Sequence, residues 1–144
     1  MNQMNKSKSS KNSGALINKD MNDQTYQLRS EVMKYIYEAK EALNRSTQII
    51  LPRITVRITK DHESILGMGR MGKNIIWISQ RAVESNRFDL RSIVFHEILH
   101  AVFKVNHDES CPLMKPVHSP LTKIQAQQLF IKWAEKANVK NKYS

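Results

Sequence analysis

Asp89-Leu90-Arg91-Ser92-Ile93-Val94-Phe95-His96-Glu97-Ile98-Leu99-His100-Ala101-Val102 is the stretch on which the fold of this chain turns. Leu90, Ile93, Val94, Ile98, Ala101, Val102 and Val105 recur at helical spacing, which predicts a helix from Leu90 to about Val105 with these residues as its buried stripe. Asp89 stands where a short carboxylate can accept the unpaired amides of a first helical turn. His96, Glu97 and His100 interrupt a run that is otherwise almost wholly apolar from Ile93 to Val102. Burying three ionisable groups among such neighbours is costly unless something compensates, and a metal ion is the compensation that fits. Residues four apart lie one above the other on a helix, so both imidazoles can reach a single zinc at about 2.0–2.1 Å. Glu97 is displaced around the helix, which suits a carboxylate that contacts a metal-bound water instead of the metal.

Outward from this helix the chain reads as two strands and two more helices. Upstream, Leu28, Val32, Ile36, Ala39 and Leu43 mark an amphipathic helix from Asp23 to about Asn44. Ile49-Ile50-Leu51, Pro52 and then Ile54 to Thr59 alternate apolar and polar residues rich in β-branched types and read as one strand, and Asn74-Ile75-Ile76-Trp77-Ile78-Ser79 reads as a second. Downstream, Ser119-Pro120 reads as an N-cap and first-turn proline opening a last helix to about Ala137, with Leu121, Ile124, Leu129, Trp133 and Ala137 as its core candidates. The expected architecture is α+β: a small mixed sheet packed on the central His96–His100 helix, flanked by N- and C-terminal helices.

A chain of 144 residues has room for one compact domain and a tail. Residues 1–22, rich in Asn, Lys and Ser, are expected to form a flexible basic tail, and residues 23–144 a single domain. No apolar run approaches the ~20 residues that span a bilayer, and Lys6, Lys8 and Lys11 are not followed by a secretory h-region, so a cytoplasmic protein without a membrane partner is expected. The single cysteine, Cys111, excludes an internal disulfide framework and an all-cysteine zinc site. A net charge of +10 admits a nucleic-acid partner, although the lysines and arginines are scattered instead of forming one stripe. Gly67-Met68-Gly69-Arg70-Met71-Gly72 matches G-x-G-x-x-G, but it precedes a strand instead of opening a helix; we read it as a flexible turn and expect no nucleotide cofactor.

Two histidines are too few for a catalytic zinc site, which usually takes three protein ligands and leaves a fourth position for water. His107 is the nearest further candidate and His118 the next, with Asp108, Glu109 and Glu135 as carboxylate alternatives. The expected activity is hydrolysis of peptide bonds by a zinc-activated water, with one zinc per chain and Glu97 as general base, acting on a protein or peptide substrate. The competing expectation is a basic, zinc-stabilised binding module for nucleic acid or an acidic protein, without catalysis.

Beyond His96-Glu97-x-x-His100, the run Ala101-Val102-Phe103-Lys104-Val105-Asn106-His107 and the later Leu113-Met114-Lys115-Pro116 resemble the metzincin metallopeptidases, in their matrixin-like branch. That family's pattern is H-E-x-x-H-x-x-G-x-x-H followed by a turn bearing a methionine. The resemblance spans about Gly67 to Pro116 and implies a metalloendopeptidase in which Met114 forms the packing floor of the site. It further implies that Asn74, Ile76 and Ile78 lie on an edge strand alongside an extended substrate. Two departures stand out: Phe103 replaces the family's glycine, and Asn106 occupies the position of the third ligand, so that His107 arrives one residue late. Either the loop absorbs one residue and His107 binds, which is the expectation adopted, or another group completes the sphere. Cys111 is the remaining donor near the turn.

Overall fold

The computed structural model describes residues 19–60, 67–80, 89–116 and 120–143. Helix α1 spans Lys19–Ser46, strand β1 Thr55–Thr59, β2 Gly67–Arg70 and β3 Ile75–Ser79, followed by helices α2, Leu90–Ala101, and α3, Lys123–Tyr143. This is the expected small α+β fold with a mixed sheet. Among the described residues α1 begins at Lys19, so the expected boundary between residues 22 and 23 falls inside a helix.

The sheet corrects one expectation outright. Its order is β1-β3-β2, with β1 parallel to β3 and β2 antiparallel to it, so the strand expected to lie at an edge is the central one. Asn74, Ile76 and Ile78 therefore cannot line an open edge. Ile76 and Ile78 are fully buried, and Asn74 precedes β3 with its carbonyl accepting the Thr55 amide at 2.9 Å. The glycine run supplies the missing edge. Gly67–Arg70 pairs with Ile75–Ile78, and the turn that follows uses positive φ at Gly72 (76°) and Asn74 (53°), residues that tolerate the left-handed region.

Helix α2 is enclosed on all sides instead of along one stripe: Ser92 to Leu99 and Ala101 are all buried, while Leu90 and Val102 are only partly so. A helix apolar all round belongs in the middle of a fold. Asp89 is its N-cap residue, but no amide caps on the carboxylate; instead the Ser92 hydroxyl donates to it at 2.6 Å. On one side α3 packs against α2 through Phe130, whose ring meets Phe95 with centroids 4.9 Å apart. Small residues beside Phe130 permit that approach, so the buried stripe of α3 is Ala126, Phe130 and Ala134. Ile124, expected in the core, is exposed, and Leu121, Leu129, Trp133 and Ala137 are partly buried around the stripe. The helix opens at Thr122, after a non-helical Pro120; Ser119, the expected N-cap, lies outside the described residues. Thr122 Oγ1 accepts the Gln125 amide and Gln125 Oε1 accepts the Thr122 amide, at 3.1 and 3.0 Å, a reciprocal capping box.

Glu38 on α1 ties the three helices together. Its carboxylate accepts from Arg91 Nε at 2.7 Å and Nη2 at 3.2 Å, and from Gln127 Nε2 at 3.0 Å. Among the described residues no helix is long and apolar enough to cross a membrane.

Candidate metal centre

Helix α2 ends where the chain must turn back on itself. The Val102 amide still donates to Ile98, but Lys104 adopts φ 57° and the Val105 amide reaches back to the Leu99 carbonyl at 3.0 Å. The residue in the left-handed conformation is thus Lys104, one place after Phe103, and Phe103 itself is a buried core residue. Lys104 stands three residues before His107, the same interval that separates glycine from the last histidine in the sequence pattern. The two departures are therefore one: a single extra residue lies before the turn, and the interval from turn to histidine is unchanged.

His96, His100 and His107 come together, each offering a ring nitrogen, with these nitrogens within 4.8 Å of one another. Their ring centroids lie 4.5, 5.2 and 4.7 Å apart. His96 is buried, His100 half-buried and His107 exposed, so the cluster is closed beneath and open on one side. His107 is thereby the third member anticipated from the sequence. Asp108, by contrast, is turned to its own loop, accepting the Ser110 amide at 2.9 Å, and its pKa is lowered by hydrogen bonds from Ser110. Glu109 and Glu135 are exposed, and none of the three carboxylates joins the cluster. His118 lies outside the described residues. Cys111 is buried in the core and does not join the cluster either.

Hydrogen bonding fixes which nitrogens face inward. His96 Nδ1 lies 2.7 Å from the Leu113 carbonyl and His100 Nδ1 2.6 Å from the Val105 carbonyl. A carbonyl can only accept, so both Nδ1 atoms carry protons, and in the neutral rings both Nε2 atoms hold lone pairs. Those two Nε2 atoms are 3.0 Å apart. Two lone pairs at that distance repel unless a cation or a shared proton stands between them. Tetrahedral zinc, with Zn–N bonds of about 2.0–2.1 Å, holds its nitrogens roughly 3.3 Å apart, close to the separation here. Carbonyl acceptors behind the ligating rings are also how metal-binding histidines are usually oriented. Burial pushes the His100 pKa down, and the neighbouring His107 adds to that shift, so the ring is held in the neutral form a metal needs.

The Leu113 carbonyl belongs to a tight turn in which the Met114 and Lys115 amides both donate to the Cys111 carbonyl, at 3.1 and 3.0 Å. Met114 is fully buried, and its own carbonyl accepts the Asp108 amide at 2.9 Å, tying the turn to the segment that carries His107.

Glu97 is 2% exposed and lies beneath β2. Burial pushes its pKa up to about 8, opposed by a hydrogen bond from the Gly69 amide. Gly69 has to be glycine: a Cβ there would run into the backbone of Glu97 and Ala101. The close approach of β2 to α2 was not legible beforehand, because the glycines that make it possible are also the signal of a loop. A second tie holds the turn after β2 to the helix end, where the Gly72 amide donates to the Ala101 carbonyl at 2.8 Å.

No family model, curated protein or solved structure matches this chain significantly.

Proposed function

We propose that this chain is a zinc-dependent endopeptidase, in which His96, His100 and His107 hold one zinc ion and Glu97 is the general base. The observation that carries this reading is the pair of inward-facing Nε2 atoms, each backed by a committed Nδ1 donor, with a buried glutamate next in sequence to His96. Three neutral imidazoles suit zinc, and the open side at His107 leaves room for a fourth position, whereas structural zinc sites are closed. When bound, zinc supplies Lewis acidity toward a carbonyl oxygen and lowers the pKa of a coordinated water to about 7.

The chain's own residues would do the rest. Glu97, whose carboxylate form a nearby divalent cation favours against burial, takes the proton of the attacking water and delivers it to the departing amine nitrogen. Gly69 holds that carboxylate from above. An extended peptide would lie along the outer edge of β2, not of β3, since β2 is the strand beside Glu97 with no described strand on its far side. The metzincin-like assignment belongs to the same proposal. It is supported by the unchanged interval from Lys104 to His107 and by the buried turn at Met114.

The test is zinc content by elemental analysis, with peptide cleavage on the same samples, for wild type, His100→Ala, His107→Ala and Glu97→Gln. Both histidine variants should lose zinc and cleavage together. Glu97→Gln should keep its zinc and lose cleavage by about 10²–10⁴-fold, the usual worth of a general base. Full zinc with no cleavage of any peptide by wild type would leave the basic, zinc-stabilised binding module; wild type without zinc would end both readings.

A further inference from the structure

We propose that the outer edge of β1 and the adjoining face of α1 form a docking site for an extended acidic segment of a partner protein, which adds as a fourth strand beside β1. This surface is independent of the metal centre, on the opposite edge of the sheet from β2. Three observations converge on it.

The first is a second apolar stripe on α1. Leu28, Val32, Ile36, Ala39 and Leu43 form the buried stripe, as their spacing demands. Tyr26, Met33 and Tyr37 recur on another face and are 75%, 45% and 63% exposed. Surface apolar residues are ordinary when scattered, but an aligned row beside a groove is a contact surface in waiting.

The second is the groove itself, about 510 Å³, between α1 and the segment leading into β1. Met33, Tyr37, Leu51 and Ile54 contribute its apolar floor, while Arg29, Lys40 and Arg53 line it with positive charge; among the described residues no acidic one lines it. A groove of one charge sign attracts and orients a segment of the other.

The third is the edge. Thr55 and Thr59 turn their polar backbone groups inward, since the Thr55 amide and Thr59 carbonyl bond to Asn74 and Gln80. By strand alternation Val56 and Ile58 turn theirs outward. Arg29 Nη1 donates to the Val56 carbonyl at 2.6 Å, which confirms that direction and covers the edge in the way natural sheets guard exposed edges. An incoming strand would replace that bond with its own amide and release Arg29 to one of its carboxylates.

The same chemistry selects the occupant. A second copy of this chain would bring a net charge of +10 and the same cations to the groove, and residues 1–18 carry Lys6, Lys8 and Lys11 with no acidic residue. Nucleic acid would satisfy the charge but has no use for outward amides and carbonyls at strand spacing, so a peptide is the better fit.

The probe is a fluorescent peptide of alternating glutamate and valine, titrated into the full chain and followed by anisotropy, with amide shifts read by NMR. Saturable binding is expected, moving the Val56 and Ile58 amide signals. The double variant Lys40→Glu/Arg53→Glu should weaken binding by about tenfold or more, equivalent to roughly 1.4 kcal/mol. Lys132→Glu, an exposed change on α3, should leave it unaltered. A peptide N-methylated along one edge keeps its charge and side chains but cannot pair with a strand, and it should not bind; this arm needs no variant to fold. Absence of binding, equal binding of the N-methylated peptide, displacement from the groove by a tighter-binding single-stranded oligonucleotide, or self-association of wild type through these residues would each overturn the proposal.

Discussion

The two edges of the three-stranded sheet are built from opposite materials. β2 is Gly-Met-Gly-Arg, and it runs so close to α2 that Gly69 has no room for a side chain; its amide serves the carboxylate of Glu97. β1 is Thr-Val-Arg-Ile-Thr, with side chains that pack on one face and a guanidinium over its edge. The difference teaches what each edge is for. Where backbone must approach a buried ionisable group, side chains are in the way; where an edge has to stay soluble yet accessible, charge beside it is an asset.

The sharpest way to break this comparison is to give β2 a side chain. Gly69→Ala forces a Cβ against helix backbone, which cannot yield as a flexible side chain can. We expect a loss of about 3 kcal/mol in urea unfolding, at the upper end for overpacking, together with loss of the proposed cleavage. An alanine at exposed Thr55 on β1 should change stability by no more than about 0.5 kcal/mol. Equal losses at the two positions would show that the close approach of β2 is not the constraint inferred.

A smaller effect of opposite sign is expected at the turn that brings His107 to the cluster. Lys104 bears a left-handed conformation that costs a non-glycine residue about 1 kcal/mol. Lys104→Gly should raise stability by about that much, read from the urea midpoint, and leave zinc content unchanged. A destabilised variant would mean that the lysine side chain contributes more than its backbone costs.

The smallest effect concerns Glu38, which couples α1, beside the β1 edge, to α2, which carries His96 and His100 of the histidine cluster. Burial alone would raise its pKa, but hydrogen bonds from Arg91 and Gln127 and the charge of Arg91 prevail and lower it. A lowered pKa in the folded state means that the unfolded chain takes up the proton first. The contribution is therefore fully present above the ordinary glutamate pKa of about 4.3, and it is lost as pH falls through the folded value. The pair is partly solvated, so the contribution is about 0.5 kcal/mol, and Glu38→Gln should flatten that part of the stability curve between neutral and acid pH.

Much of the candidate site could be read in advance, because it depends on local periodicity. His96 and His100 are four apart on a helix, and Met114 and His107 follow within one short connection. What escaped was anything that depends on pairing across the chain. Ile75–Ser79 reads as a half-buried strand in any register, so its place at the centre of the sheet was invisible until β2 was seen to occupy the edge. The phase of α3 escaped for a similar reason. Its stripe is set by the contact of Phe130 with Phe95, not by the larger apolar residues at Ile124 and Trp133.

The sequence by itself determined five of the six elements, all but β2, together with the helical spacing that stacks two imidazoles and the placing of a glutamate between them, since these follow from backbone geometry over a few residues. Only the tertiary structure decided that the chain turns at Lys104, that carbonyls of Leu113 and Val105 aim two Nε2 atoms at one point, and that β2, not β3, borders Glu97. Those outcomes depend on which distant segments pack against α2, and the energies that choose among them reside in contacts between residues far apart in the chain.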